Sequence, residues 1–304
     1  MPQLSTYCCA INADRKECKS STEKENELKR VWGLIVAASA LSAPVAHADD
    51  TGATLLDGST TALIMGPTGI SDPADLPGYI PDIDDLYLQD LGFTGTDITS
   101  LVTPESPDFG PSIAEGELDL VDTVEADYNA GGDVTWATDP LTITAYSQST
   151  VIASLAEPIL YEYGIPSNDL RFVFLGDAAA DPSTGATGVL DTLGDTTFGE
   201  DMLDLLGWGN LVDATTPNDL YPTDVYTVTG DFWADYPVAA DEGFILGFFE
   251  HGDYMGLTES EIQAAMNDTA TTDVDGLTTY YTIPEPSDLI ETLLQTAYND
   301  FFFG

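Results

Sequence analysis

The chain has 304 residues, 43% of them hydrophobic, which is enough apolar material to bury a sizeable core. Its 53 acidic and seven basic residues give a formal net charge of −46. A surface with this charge repels nucleic-acid phosphates and anionic lipid headgroups, so the composition argues against nucleic acid as a partner.

The N-terminal residues have the features of an export signal. A basic pair precedes an apolar run of about 15 residues, shorter than the ~20 that a spanning helix needs, and the run ends in Ala46-His47-Ala48. We therefore predict a leader and signal peptide over 1–48, cleaved after Ala48. The remaining domain, 49–304, is expected to be secreted or peripherally associated with the cell envelope.

This cleavage would change the composition sharply. It would remove all three cysteines and six of the seven basic residues, leaving Arg171. It would also leave a single histidine, His251, in the mature chain. A fold without cysteine is held together without disulfides.

The first half of the domain alternates strand and helix patterns. An apolar run at 60–65 leads into a Gly-Pro-Thr-Gly turn, and a second strand is predicted at 98–102. A helix is predicted over 112–128, where Ser112 and Glu115 form a capping-box pattern. Another strand, 141–145, runs directly into an amphipathic helix, and a further strand follows at 171–175.

The second half is less regular. Residues 181–222 are rich in Gly, Thr, Asp and Pro, and they are either a lid insertion over an active site or an ordinary excursion with one short helix. Strands are predicted at 225–229 and 278–283, and helices at 239–249, 258–266 and 289–298. Strands that alternate with helices predict an α/β fold with a mostly parallel central sheet flanked by helices.

Ser147 lies in the turn between the predicted strand 141–145 and the following helix. This is the context of a nucleophile elbow, a strained turn that lifts a serine hydroxyl above the carboxyl edge of an α/β-hydrolase sheet. Small residues flank the turn because neighbouring backbone comes close there. Ala145 and Ser149 stand where two glycines are usual.

A serine nucleophile needs an imidazole base and an orienting acid. His251 is the only histidine of the predicted mature chain, and the order Ser147, Asp231, His251 is the order of an α/β-hydrolase triad. Asp235 and Asp177 remain alternatives to Asp231 as the acid, since acidic residues are abundant throughout the chain.

The oxyanion of the transition state needs two main-chain N–H donors. The residue after the nucleophile, Gln148, is expected to supply one. The second is expected from the turn after the first strand, where Pro67 has no N–H and Thr68 is the better choice.

Eight stretches in the same order resemble the PE-PPE domain family of mycobacteria and related actinobacteria. They are ALIMGPTG (62–69), TPE (103–105), SIAEG (112–116), AYSQST (145–150), FLGD (174–177), TGDFWADYP (229–237), HGDY (251–254) and TTYYTIP (278–284). The resemblance implies a cutinase-like serine α/β-hydrolase with esterase activity, Ser147 as nucleophile, Asp231 as acid and His251 as base. The sequence departs from the family pattern at Ala145 and at the residues that flank Asp231.

The sequence therefore predicts an exported serine esterase or lipase that hydrolyses acyl esters or lipids, with no cofactor and no metal. One alternative is an envelope acyltransferase that moves acyl groups between glycolipids such as acyltrehaloses. Another is a non-catalytic, acidic wall-associated binding protein. The run most like a Ca²⁺ loop, 273–276, lacks the length and the final Glu of an EF-hand.

Overall fold

The structure is a computed structural model and describes residues 54–183, 185–194, 203, 208–211, 214–237, 247 and 250–284. The predicted signal peptide, its cleavage site and the predicted helix at 289–298 lie outside these residues. So does most of the helix predicted at 239–249.

The described residues form a seven-stranded sheet with the strand order β2-β1-β3-β4-β5-β7-β6. All neighbouring strands are parallel except β6, which runs antiparallel to β7. The strands are β1 (Thr61–Ile64), β2 (Asp97–Ser100), β3 (Leu141–Tyr146), β4 (Leu170–Leu175), β5 (Thr223–Val228), β6 (Thr272–Asp275) and β7 (Thr278–Ile283). The predicted α/β-hydrolase class, with its mostly parallel sheet, is confirmed.

The central strands are buried on both faces. Every residue of β3 and β5 is buried, which explains why these segments read as nearly continuous apolar and threonine runs. Successive side chains point to opposite faces, so Phe172 and Phe174 enter one hydrophobic core while Val173 and Leu175 enter the other. The sheet therefore separates two cores.

Helices cover both faces. The α-helices are α1 (Tyr79–Ile83), α2 (Phe109–Asp127), α3 (Gln148–Tyr163), α4 (Val189–Gly194) and α5 (Glu259–Asn267), besides a three-residue helical turn at Asp133–Thr135. π-Helical turns follow at Asp84–Leu88 and Tyr128–Gly132, and 3₁₀ turns lie at Pro73–Asp75, Gly209–Leu211 and Asp253–Met255. Residues of α2, α3 and α4 share the core of Phe172, and residues of α1 and α5 share that of Val173.

One helix start was predicted wrongly. Helix α2 begins at Phe109, three residues before the predicted cap Ser112. Ser112 is buried inside the helix, where its hydroxyl accepts a hydrogen bond from the N–H of Ser106 at 2.9 Å. In contrast, α5 follows its prediction, and Thr258 and Glu261 form a capping box at its start.

Arg171 lies in β4 and its guanidinium binds main-chain carbonyl groups. The four acceptors are the carbonyl oxygens of Leu55, Ser167, Asn168 and Leu170, at 2.8 to 3.5 Å. Burial lowers the pKa of Arg171 from its ordinary value. This side chain thus joins β4 to the segment that precedes β1.

Part of the segment 181–222 packs beside the carboxyl ends of the strands, whereas its last residues, 217–222, contact the amino ends of β4, β5 and β7. Val189, Leu190, Trp208 and Leu211 are buried in the same core as α2 and α3. Thr187 forms an isolated antiparallel bridge with Tyr236. Leu190, Trp208 and Leu211 of this segment also line a cavity at the carboxyl ends of the strands. The sequence predicted either a lid or an ordinary excursion for this segment.

Candidate active site

Ser147 occupies a strained turn between β3 and α3. Its φ of 61° and ψ of −123° lie in a region that residues other than glycine rarely adopt. Its N–H donates to the carbonyl oxygen of Leu175 at 2.9 Å. The hydroxyl of Ser149 accepts from the N–H of Tyr146 at 2.9 Å and donates to its carbonyl oxygen at 3.0 Å, which closes the turn. The chain thus has the predicted elbow geometry with Ala145 and Ser149 in the usual glycine positions.

The structure brings together the three side chains predicted to form a triad. His251 Nε2 lies 2.7 Å from Ser147 Oγ. On the other side of the ring, His251 Nδ1 lies 2.9 Å from both carboxylate oxygens of Asp231. The side chain of His251 is 14% exposed and that of Asp231 is fully buried. The imidazole can therefore accept the proton of Ser147 while the carboxylate holds Nδ1 protonated.

Asp231 is the acid that contacts the histidine, among the three that the sequence left open. Asp235 instead accepts a hydrogen bond from the N–H of Gly230 at 2.8 Å. Asp177 accepts from the N–H of Ala179 at 3.0 Å and from the hydroxyl of Thr216. Burial raises the pKa of both Asp177 and Asp235 above its ordinary value.

The carboxylate of Asp231 is surrounded by donors. The N–H groups of Trp233 and Ala234 donate to Oδ1 at 2.8 and 3.4 Å. The hydroxyl of Tyr254 donates to Oδ2 at 2.7 Å. Each carboxylate oxygen therefore has a second donor besides His251 Nδ1, and this stabilises the buried negative charge.

Gly176, which follows β4, makes room for the histidine. A Cβ atom at this position would lie 3.0 Å from His251 Cε1 and 3.0 Å from Tyr254 Cε2, and the φ of Gly176 is +61°. Glycine is required here both by the backbone conformation and by the close approach of the two rings. The site depends on this residue although it carries no reactive group.

The predicted oxyanion donors lie next to each other. The hydroxyl of Thr68 donates to Gln148 Oε1 at 3.0 Å, and Gln148 Nε2 donates to Ser112 Oγ at 2.6 Å. These contacts occupy the side chains of Thr68 and Gln148. Their main-chain N–H groups make no hydrogen bond to other described residues and remain able to donate to a reacting carbonyl oxygen.

A cavity of about 320 Å³ opens beside Ser147. Its wall is mainly apolar and aromatic, while Ser147, Gln148, Thr68 and His251 supply the polar groups. The apolar wall consists of Phe109, Ile113, Val151, Leu190, Trp208, Leu211 and Trp233, together with smaller residues. Pockets of this composition suit an apolar ligand with one polar end.

Two further features of the described residues concern metals and membranes. Within these residues no three His, Cys, Asp or Glu side chains converge to hold a metal ion. Asp273 and Asp275, from the Ca²⁺-like run, lie in β6, and the intervening Val274 is 65% exposed. In the part of the chain that the structure describes, no helix has the length and apolar character to cross a membrane.

Sequence reasoning did not identify Tyr254, Tyr146 and Gly176 as parts of the site. Tyr146 donates a hydrogen bond to the main-chain oxygen of His251, and Tyr254 donates to Asp231. Burial raises the pKa of both phenols well above the ordinary value, which keeps their hydroxyls protonated. The one available signal was that all three residues adjoin or lie within motifs already singled out, at 145–150, 174–177 and 251–254.

The chain is similar in sequence to two curated proteins of Mycobacterium tuberculosis. The chain is 29% identical to Esterase PE16 of Mycobacterium tuberculosis (strain ATCC 25618 / H37Rv), over 79% of this chain and 45% of that protein. It is 27% identical to the PPE family protein PPE28 of the same strain, over 77% of this chain and 35% of that protein. The chain thus spans less than half the length of these curated relatives.

Among solved structures, a cutinase-like protein from Cryptococcus sp. matches with a TM-score of 0.42 and 14% identity. The match covers 69% of this chain and 92% of that one. The profile of the PE-PPE domain matches residues 90–297, which is more than half of the sequence. On this match, the chain belongs to the PE-PPE domain family.

Proposed function

We propose that this protein is a serine esterase that hydrolyses acyl esters through Ser147, His251 and Asp231. The observation that carries the proposal is the continuous contact from Ser147 Oγ to His251 Nε2 and from His251 Nδ1 to Asp231. The name of the relative Esterase PE16 supports the same activity.

In the acylation step, Ser147 Oγ attacks the carbonyl carbon of the ester while its proton passes to His251 Nε2. The carbonyl oxygen becomes an oxyanion, which accepts hydrogen bonds from the main-chain N–H groups of Gln148 and Thr68. The tetrahedral intermediate then collapses. The bond to the alcohol oxygen breaks, His251 gives its proton to that oxygen, and the acyl group stays on Ser147 as an ester.

Deacylation repeats the same steps with water. His251 takes a proton from water as the water oxygen attacks the acyl carbon, and a second oxyanion forms at the same donors. Its collapse breaks the bond to Ser147 Oγ, which recovers its proton from His251. A carboxylic acid leaves, and Asp231 stabilises the imidazolium in both steps.

The cavity supports an apolar acyl group as the part of the substrate that is bound. Trp208, Trp233 and Phe109 lie together in its wall, with ring centroids 4.8 Å apart for the two tryptophans and 4.7 Å for Phe109 and Trp208. Burying an acyl chain against this wall contributes about 0.8 kcal/mol per methylene group. An ester with an apolar acyl chain, such as a lipid, therefore fits the site better than an ester with a polar acyl group.

The test combines turnover and labelling. A series of p-nitrophenyl esters of increasing chain length should be hydrolysed, and a fluorophosphonate should label one serine. Ser147→Ala should abolish labelling and reduce turnover by about 10⁴- to 10⁶-fold. Ser260→Ala, which removes the hydroxyl of an exposed serine on α5, should change neither. Turnover in Ser147→Ala close to that of the unaltered protein would overturn the proposal.

We propose that water, not a sugar hydroxyl, accepts the acyl group from Ser147. With an ester donor and trehalose both present, hydrolysis should release free acid and leave the sugar unmodified. Acylated trehalose would instead identify a transferase with the same acyl-enzyme.

We propose that the enzyme acts after export, and N-terminal sequencing of the exported protein should give a chain that begins at Asp49.

A further inference from the structure

Tyr254 contacts the triad without lining the substrate cavity. Its ring is fully buried, and its hydroxyl donates to Asp231 Oδ2 at 2.7 Å while it accepts from the N–H of Val228 at 3.1 Å. It is not among the residues that form the cavity wall beside Ser147. Tyr254 therefore does not touch a substrate in this cavity directly, and its contacts with the triad are to Asp231 and the ring of His251.

The hydrogen bonds to Asp231 are distributed between the two oxygens. Oδ1 accepts from main-chain N–H groups, those of Trp233 and Ala234, whereas Oδ2 accepts from the side chain of Tyr254. Both oxygens lie 2.9 Å from His251 Nδ1. The donor to Oδ2 can therefore be removed by one substitution that leaves the main-chain donors in place.

Tyr254 is itself fixed from outside the triad. The hydroxyl of Tyr87, which belongs to the π-helical turn after α1, donates to the main-chain oxygen of Tyr254 at 2.7 Å. The rings of Tyr146 and Tyr254 pack with their centroids 5.4 Å apart. The phenol is therefore held rigidly against the carboxylate.

We propose that Tyr254 is a positioning residue that holds the carboxylate of Asp231 against His251 Nδ1 and moderates its basicity. This inference rests on the proposed function of Ser147 and His251. A hydrogen bond to the charged form of a carboxylate stabilises its charge and weakens its attraction for the imidazolium. Tyr254 thus keeps the imidazole basic enough to accept the serine proton and acidic enough to return it to the leaving group.

The phenol can perform this role over the whole working pH range. Burial and the charge of Asp231 raise the pKa of Tyr254 well above its ordinary value, so the hydroxyl remains a donor. Among the described residues, Asp235 and Tyr146 interact electrostatically with Asp231, and Tyr146 also interacts with Tyr254, Asp253 and Tyr87. Burial raises the pKa values of Asp235, Asp253, Tyr146 and Tyr87, and none of these four replaces the contact to Oδ2.

The kinetic test uses Tyr254→Phe in the full chain. We expect kcat to fall by about 10- to 100-fold, because the carboxylate loses its fixed orientation, with KM unchanged within about twofold. The acidic limb of the pH profile of kcat/KM should move upward by about half to one pH unit, because Asp231 then attracts the imidazolium more strongly. A fall in kcat without movement of this limb would overturn the proposal.

A direct measurement does not require activity. The pKa of His251 can be followed by ¹⁵N NMR of the imidazole, with His47→Gln used to assign the two histidines of the chain. Tyr254→Phe should raise this pKa by about half to one unit. Replacement of Tyr254 by 3-fluorotyrosine, which keeps the ring and makes the hydroxyl a stronger donor, should lower it. An unchanged pKa in both proteins would overturn the proposal even if Ser147-dependent turnover is present.

Two matched substitutions separate the contact from a structural effect. Tyr221→Phe removes a buried hydroxyl that donates to the main-chain oxygen of Ile165 at 3.0 Å, near the amino ends of β4 and β5 and away from the triad. Tyr87→Phe removes the hydroxyl that holds the Tyr254 segment but does not touch Asp231. Tyr221→Phe should leave the pKa of His251 unchanged, and Tyr87→Phe should move it less than Tyr254→Phe does. An equal shift in Tyr87→Phe would assign the effect to the position of the segment and overturn the direct role of Tyr254.

Discussion

The carboxylate of Asp231 accepts hydrogen bonds from both side chains and main-chain groups of the site. His251 Nδ1, the N–H of Trp233 and the hydroxyl of Tyr254 all direct hydrogens at its two oxygens. An ionised carboxylate accepts all of these hydrogen bonds, whereas an amide of the same shape must turn its NH₂ group toward one of the donors. The site is therefore built for a charged side chain.

This arrangement predicts a large effect for Asp231→Asn. The amide group would favour the imidazole tautomer with its proton on Nε2, where Ser147 needs an acceptor, and kcat should fall by about 10⁴-fold. Asp235→Asn serves as the control, because its oxygen can still accept from the N–H of Gly230. If Asp235→Asn lost as much activity as Asp231→Asn, the assignment of the acid would be wrong.

The residues of the site could be predicted only in part from the sequence. Ser147 could be predicted because it lies between a predicted strand and a predicted helix. His251 could be predicted because it is the only histidine after the predicted cleavage site. Asp231 could be preferred over Asp235 only by the resemblance of 229–237 to a family motif, because both acids fit the chain order, and their contacts could not be predicted. Tyr254 could not be identified because its contact with Asp231 depends on how two loops meet across the sheet edge.

At the scale of elements, the ring of His251 packs against the chain at the end of β4. Gly176 lies at this point with a φ of +61°, and its missing Cβ leaves space for His251 and Tyr254. The histidine itself comes from a distant part of the chain. Its position therefore depends on a strand end that contributes no side chain.

Gly176→Ala should therefore impair catalysis as well as stability. Its positive φ should cost about 1 kcal/mol in unfolding free energy, and the added methyl group should displace the imidazole and lower kcat by about 10- to 100-fold. Gly164→Ala is the matched control, since Gly164 has a φ of +101° at the end of α3 and nothing lies within 4 Å of the point that its Cβ would occupy. Thermal unfolding should show a loss in both variants, whereas only Gly176→Ala should lose turnover. Equal turnover in the two would contradict the packing argument.

The strands were predicted best where apolar and β-branched residues form a continuous run. The prediction 278–283 coincides with β7, and 171–175 misses one residue of β4. Strand β6 was missed because it is an acidic, partly exposed edge strand without an apolar face. The helical turns at 79–88 were missed because aspartate and proline are common there and predict loops.

At the scale of the whole molecule, several buried carboxyl groups make stability depend on pH. Burial raises the pKa of Glu105, Glu117 and Asp224 to about 7, and it raises the pKa of Glu157 well above its ordinary value. For each group the folded pKa exceeds the unfolded one. For Glu105, Glu117 and Asp224 the stabilisation is therefore complete below about pH 4 and is lost as the pH rises toward 7, by about 1.4 kcal/mol for each pH unit that separates the folded and unfolded pKa values. For Glu157 the sign is the same.

Glu157→Gln tests this dependence. Both carboxylate oxygens of Glu157 are buried in α3 without a hydrogen-bond partner among the described residues, so keeping this group neutral should raise the thermal midpoint at pH 8 more than at pH 5.5. Glu162→Gln, an exposed substitution in the same helix, should change the midpoint little at either pH. A gain from Glu157→Gln that is equal at both pH values would show that ionisation of this group is not what destabilises the protein.

The position of Arg171 in β4, with its guanidinium bound to main-chain carbonyl groups, affects where a protease can cut the chain. From residue 31 to the end of the sequence Arg171 is the only site at which trypsin can cut, and it lies in a central strand of the sheet. A protease needs an extended, accessible segment, so cleavage here requires β4 to leave the sheet. Brief trypsin digestion across a urea gradient should therefore give an intact domain before the unfolding transition and two fragments beyond it, which makes one arginine a built-in reporter of global unfolding.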